Sequence, residues 1–151
     1  MADSIHKQIV DKVKALLSDI DGKLTVEANT ALPEKVSDDG LIIVRDISPE
    51  PSDESYGGFD TLYMTGVLPI EVFVQAGTDE KRDIKYDELL QAISAKLLVR
   101  DAVGNRSLGG LVYGVVLDRP ESLPNDVLGA ASVKCATIRM HVEYSAPAAL
   151  A

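Results

Sequence analysis

Residues 86–97 carry apolar side chains at the spacing of a single helix face. The apolar positions are Tyr86, Leu89, Leu90, Ile93 and Leu97. At about 3.6 residues per turn these positions form one narrow stripe, while Asp87, Glu88 and Lys96 lie on the opposite side. The pattern predicts an amphipathic helix that covers another layer of the protein with one face and shows the other to water. Turn residues then fill positions 100–107, and an apolar strand is predicted over 108–117, entered through Gly109 and Gly110.

A second amphipathic helix is predicted near the N-terminus, over residues 4–20. Its apolar positions are Ile5, Ile9, Val13, Leu16, Leu17 and Ile20. Asp3 or Ser4 can cap its start, and Gly22 can close its end.

The remaining regular segments read as strands. Residues 24–28 and 41–45 are short candidates rich in β-branched side chains, whereas 62–74 and 132–144 alternate between an apolar and a mixed face. Pro69 lacks a backbone donor and therefore suggests an edge strand or a bulge. The order is helix, three strands, helix, two strands. It predicts a single α+β domain over residues 1–151, with a mostly antiparallel sheet of about five strands and two helices packed on one face.

Residues 46–60 differ from the rest of the chain. They carry five carboxylates and no Lys or Arg, and they contain two prolines and two glycines. We expect a long, flexible, acidic loop without regular structure. Exposed aromatics tend to anchor partners, so we expect this loop to contact a partner. The residues expected at that contact are Glu50, Asp53, Glu54, Tyr56 and Phe59. The tail from residue 146 is expected to be disordered.

Composition limits the class of protein. With 46% hydrophobic and 26% charged residues, the chain resembles an ordinary soluble globular domain. Its formal charge of −9 argues against tight nucleic-acid binding, which needs clustered Lys and Arg. No apolar run approaches the roughly 18 residues of a membrane span, and the N-terminus shows no signal segment. We therefore expect no membrane association and a cytoplasmic location. The single cysteine, Cys135, excludes an internal disulfide and fits a reducing compartment.

The segment Asp19-Ile20-Asp21-Gly22 is similar to the Asp-x-Asp-Gly signature of the haloacid dehalogenase superfamily. In that superfamily the first Asp attacks a phosphoryl group, and both help to hold Mg²⁺. The chemistry needs the first Asp at the end of a buried parallel strand, but the preceding segment has helical periodicity with Lys12 and Lys14 on one side. We interpret the segment as a helix end followed by a turn, which leaves an Mg²⁺-dependent phosphatase using Asp19 and Asp21 as the disfavoured alternative.

No other constellation predicts chemistry. Gly109 and Gly110 precede a strand and lack a following Gly-Lys-Ser/Thr, so they do not form a phosphate cradle and more simply permit a bulge or a close backbone approach. His6 and His141 lack a His or Cys neighbour at ligand spacing, and Cys135 sits among apolar residues as a small buried side chain would. We therefore predict no catalytic residue, no cofactor site and no metal site, and hence no enzyme.

Taken in order, these elements resemble the tail terminator (tail completion) proteins of long-tailed bacteriophages and prophages over nearly the whole chain. The shared features are the N-terminal helix, three strands with a long loop, and a second helix that opens near Arg82 and Tyr86. They also include the Asn105–Leu111 turn, whose pattern is Asn-x-Ser-Leu-Gly-Gly-Leu, and a final strand ending in Val142-Glu143-Tyr144.

The resemblance implies a structural virion protein that forms a ring, expected to be a hexamer, which caps the tail tube and joins it to the head connector. The implied partners are other copies of the chain, the tail tube protein and the head–tail connector protein. The implied location is the virion tail, and the host cytoplasm during assembly. A head–tail connector protein of the same particle remains the alternative within this class. The resemblance transfers no individual site residue.

Overall fold

The computed structural model of the protein describes residues 3–30, 40–56, 62–123 and 133–146. Two helices and seven strands lie within these ranges. In chain order they are α1 (Ile5–Ser18), β1 (Thr25–Ala28), β2 (Leu41–Val44), β3 (Ser48–Tyr56), β4 (Leu62–Gln75), α2 (Asp79–Leu97), β5 (Gly114–Leu117), β6 (Glu121–Leu123) and β7 (Val133–Ala146).

The sheet is built on β4 and β7, which pair antiparallel along the full fourteen residues of each strand. β2 and β3 follow one another along the free side of β4, and β5 and β6 do the same along β7. β1 adds a parallel pairing at the outer side of β2. The seven strands thus occupy five positions across the sheet, and the predicted α+β class with a mostly antiparallel sheet is confirmed.

A bulge separates β2 from β3 opposite Pro69. Val44 pairs with Ile70 and Ser48 pairs with Val67, so one side of the ladder holds one more residue than the other. The Arg45 amide donates to the Pro69 carbonyl across 2.9 Å within this irregular segment. Pro69 lies in an interior strand, so the edge-strand alternative is wrong; its missing donor is tolerated because it sits at a bulge.

Both helices lie on one face of the sheet, as predicted, and the main core lies between them and the strands. α1 buries Ile9, Val13 and Leu17, and α2 buries Tyr86, Ile93 and Leu97. The helices cover the alternating apolar residues of the two long strands, which include Leu68, Ile70, Val72, Ile138, Met140 and Val142. Leu89 and Leu90 are only partly buried at the margin of this core.

The helix ends follow local capping. The Ser4 hydroxyl accepts a hydrogen bond from the Lys7 amide, and the Thr78 hydroxyl accepts one from the Lys81 amide, each across 3.2 Å. α1 ends at Ser18 with Asp19 as its C-cap, so the predicted closure at Gly22 is wrong. In the described part of the chain, neither helix is long and apolar enough to cross a membrane.

The stretch expected to lack regular structure contains β3. Residues 48–56 pair antiparallel with β4, so that expectation is wrong for them. The physical reason is tertiary: β2 occupies only the 70–73 part of β4, which leaves the amides and carbonyls of the 62–67 part available for a ladder. Pro49 and Pro51 are two residues apart, so their missing donors lie on the same side of the strand, and a strand paired on one side only can accept this.

Residues 57–60 of the predicted loop, and 147–151 of the predicted tail, lie outside the described residues; Ala146 itself is the last residue of β7.

Candidate partner-binding surface

Four of the five residues expected to contact a partner lie on β3. Glu50 pairs with Thr65 of β4, Tyr56 pairs with Leu62, and Asp53 and Glu54 lie between them on the same strand. Phe59 lies outside the described residues. Among the described strands, β3 pairs only with β4, so its other side is an edge of the sheet. The structure therefore places the acidic residues on a strand edge instead of on an irregular loop.

The Asp-x-Asp-Gly segment has the geometry of a helix end. Asp19 caps α1 and forms an exposed ion pair with Lys96 of α2 across 3.0 Å. The Asp21 carboxylate accepts a hydrogen bond from the Lys23 amide two residues on, as in an Asx turn. The interpretation as a helix end and turn is confirmed, and the buried strand end that phosphoryl transfer would require is not what precedes Asp19. Within the described ranges, no group of three or more His, Cys, Asp or Glu side chains is placed to hold a metal ion.

The two histidines serve separate contacts. The Nε2 atom of His6 lies 2.7 Å from the hydroxyl of Tyr144, and the two rings meet edge to face. Burial lowers the pKa of His6 and raises the pKa of Tyr144 to about 12. Both shifts favour the neutral groups, and the imidazole tautomer decides which of the two atoms donates. This contact ties α1 to the end of β7.

Cys135 is buried in a small apolar cluster on the opposite face, as its sequence context predicted.

Polar side-chain pairs cross the sheet face that the helices leave uncovered. His141 lies 2.7 Å from Asp118, and Arg139 lies 3.3 Å from Glu121. These pairs are exposed, and such pairs contribute at most about 1 kcal/mol each. They set the polar character of the middle of this face.

The loop that follows α2 is organised around the carboxylate of Asp101. This carboxylate accepts hydrogen bonds from the amides of Val103 and Asn105 and from the hydroxyl of Ser107, at 2.9–3.0 Å. The bond from the Asn105 amide is the largest cause that lowers the pKa of Asp101, and the bonds from Ser107 and Val103 act in the same direction. The network holds residues 101–107 in a defined turn.

A second turn brings the chain from Ser107 into β5. The Ser107 carbonyl accepts from the amides at positions 110, 111 and 112, and its hydroxyl accepts from the Gly110 amide. Gly109 and Gly110 have φ angles of 75° and 92°, in the left-handed region that favours glycine. The predicted strand over 108–117 is therefore wrong in its first half: the glycines form a turn, and β5 begins only at Gly114.

Residues of the 100–106 loop and of strands β4, β5 and β7 line an open groove of about 500 Å³. Arg100 and Arg106 enter it from the loop, and Tyr113, Val116 and Glu143 line it from the strands. The guanidinium of Arg100 donates to the Gly104 carbonyl across 2.8 Å. The Nε atom of Arg106 is buried and has no hydrogen-bond partner, and Arg106 forms no ion pair with any described residue. Since a buried polar atom without a partner costs free energy, an arginine in this state is suited to an incoming acceptor.

Exposed apolar side chains lie at the groove. Of the six large apolar side chains exposed in the described ranges, Tyr113 and Val116 line it, and Tyr63 lies beside Tyr113. The rings of Tyr63 and Tyr113 are 6.0 Å apart, and the Tyr113 hydroxyl lies 3.0 Å from that of Ser145.

We define the groove surface as Tyr63, Arg100, Arg106, Tyr113 and Val116. Tyrosine and arginine beside apolar side chains are typical of protein–protein interfaces. The amino-acid sequence alone does not predict this surface, because its residues come from three separate segments. One signal was available: residues 111–117 are apolar on both faces of the predicted strand, which is unusual for a strand at a sheet edge.

Comparisons with known proteins find a structure of similar fold but do not assign the chain to a family. No protein-family model matches the chain, and no curated protein matches it. The fold is similar to that of a chain in a solved structure described as the virion of a native gene transfer agent particle. The TM-score is 0.54 and the sequences are 15% identical, and the match covers 94% of this chain and 92% of the other.

Proposed function

We propose that this protein is a structural component of a phage-like virion, acting as a tail terminator. In this role, copies of the chain form a ring, expected to be a hexamer, that caps the tail tube and presents a surface to the head connector. The protein acts through its surfaces and needs no cofactor. It would be found in the virion tail, and in the host cytoplasm during assembly.

The observation that carries the proposal is the fold similarity to a virion chain of comparable extent. The match leaves less than a tenth of either chain unaligned, so the likeness extends over whole chains and not only over a common sheet motif. The sequence resemblance to tail terminators extends over nearly the whole chain and suggests the specific role.

Two physical features support a role in an assembly. The sheet has edges at β3 and β5 that another chain can cover, and the groove surface has interface composition. The formal charge of −9 also suits a ring through which DNA passes without binding tightly.

Deletion of the gene from the phage or gene transfer agent that encodes it, followed by electron microscopy of the particles, tests the role. A tail terminator stops growth of the tube, so its loss should give tails of excessive and variable length that lack heads. Complementation with the wild-type gene should restore a uniform length.

The same experiment separates the alternative of a head–tail connector. Loss of a connector should leave tails of normal length beside unattached heads, because tube growth still stops. Particles of normal morphology after deletion would contradict both roles.

A further inference from the structure

We propose that the groove surface of one copy binds the acidic strand β3 of a neighbouring copy. The inference rests on the proposed function, because it names the contact through which copies would join into a ring.

The groove supplies a cation that forms no ion pair within the described part of the chain. Arg106 has a buried, unpartnered Nε atom, and Arg100 uses one of its donors on the Gly104 carbonyl. Glu143 and His141 also line the groove, so it is not uniformly basic. Neither forms an ion pair with Arg106: Glu143 forms none with any described residue, and His141 lies against Asp118. A guanidinium offers a planar pair of donors that matches a carboxylate, and such bidentate pairs are the stronger ionic contacts in proteins.

β3 supplies the anions. Its sequence, SPEPSDESY, carries Glu50, Asp53 and Glu54 without a compensating Lys or Arg. Since β3 pairs only with β4 among the described strands, its outer edge is open to a second chain. The net charge of the protein is −9, so contact between two copies is opposed by charge repulsion. Pairing the two arginines of the groove with the acidic strand would reduce that repulsion.

β3 lies at one edge of this end of the sheet, and the groove extends from β5 and the 100–106 loop at the other edge across β7 to Thr65 of β4. Glu50 pairs with Thr65, Thr65 pairs with Glu143, and Glu143 pairs with Gly114, so one row crosses β3, β4, β7 and β5. Three strand spacings of about 4.8 Å separate its ends by about 14 Å. A contact between opposite edges is heterologous: each copy uses one surface toward each neighbour. Such contacts close into rings when the rotation between copies allows it, and otherwise extend as filaments.

Self-association of the full-length chain tests this contact. Arg106→Glu should weaken association by at least about 30-fold, since removing one partner of a desolvated charge pair has effects of this size or larger. Arg106→Gln, which keeps most of the side chain, should weaken it in the same direction. Lys14→Glu makes the same charge change on the exposed side of α1 and should leave association unchanged. Sedimentation at several concentrations measures the association, and thermal melts show that each variant is folded.

A mixing experiment tests whether the contact is between chains. The double variant Asp53→Arg with Glu54→Arg should also be a monomer. When it is mixed with Arg106→Glu, every contact in an alternating assembly again joins opposite charges, so association should return. Mixtures that stay monomeric, or an Arg106→Glu variant that associates like the wild type, would overturn the inference.

The outcomes also distinguish this inference from the proposed function. Charge-dependent filaments without closed rings would support the contact and contradict the ring. Rings that are insensitive to Arg106 would support the ring and overturn the contact. A wild-type chain that remains a monomer at its highest attainable concentration overturns the contact, while the deletion phenotype still decides the role in the particle.

Discussion

Ile93 and Ile84 lie on the same helix and carry the same side chain, but α2 buries only the first. Ile93 is 0% exposed in the main core, whereas Ile84 is 51% exposed. Substitution of each by Ala therefore compares burial with everything else held equal. We expect Ile93→Ala to destabilise the protein strongly and Ile84→Ala to have little effect.

The expected free energies follow from the atoms removed. Ile→Ala deletes three carbon atoms, which at about 0.8 kcal/mol per buried methylene gives about 2.4 kcal/mol for Ile93. A residual cavity of about 50 Å³ adds about 1.2 kcal/mol, and the better helix propensity of Ala returns about 0.4 kcal/mol. The net loss is about 3 kcal/mol. For Ile84 the free energy of burying the three carbon atoms is about halved, and no cavity forms. The expected net loss of stability is about 1 kcal/mol or less.

Urea unfolding of the wild type and both variants, followed by circular dichroism, measures these values. Comparable slopes across the three curves would show that the variants unfold between the same states. A difference of less than about 1 kcal/mol between the variants would refute the packing of α2 on the sheet. Leu90→Ala, at a partly buried position, should fall between the two.

Three further predictions concern pH, catalysis and assembly. Burial lowers the pKa of His6, so between the folded and unfolded pKa values the unfolded chain binds more protons than the folded chain. The stability that the folded state gains by keeping His6 neutral is therefore present above the unfolded pKa of 6.5, and it is lost as the pH falls through the lower folded pKa. Melting temperatures measured across this range should show the dependence in the wild type, and an equally steep profile for His6→Gln would contradict it. The purified chain should show no Mg²⁺-dependent turnover of a generic phosphoester, because Asp19 caps a helix; turnover that Asp19→Asn abolishes would restore the phosphatase hypothesis. Replacing Tyr56 and Phe59 by Ser should leave the melting temperature nearly unchanged and reduce tail assembly, whereas normal assembly of this variant would remove these two aromatic residues from the contact.

The predicted elements that the structure confirms are those with a long periodic pattern. The stripes at 5–17 and 86–97 fixed the two helices, because only one helical face could bury those side chains. The alternation along 62–74 and 132–144 fixed the buried face of the two long strands, because a shift of one residue would turn every apolar side chain outward. Local chemistry was less decisive: Ser4 was correct as a cap, while Gly22 was not the end of α1.

The sequence by itself determined the α+β class and which face of each helix and long strand is buried, because those properties depend on side-chain pattern within one segment. Only the tertiary structure decided that residues 48–56 form a strand, since that strand depends on backbone groups left free along β4. It also decided the groove surface, where a loop after α2, the strand β5 and the end of β7 meet around Arg106, whose buried Nε atom has no hydrogen-bond partner. No periodicity within a single segment encodes such a meeting, because it depends on the pairing of strands that are distant in the chain.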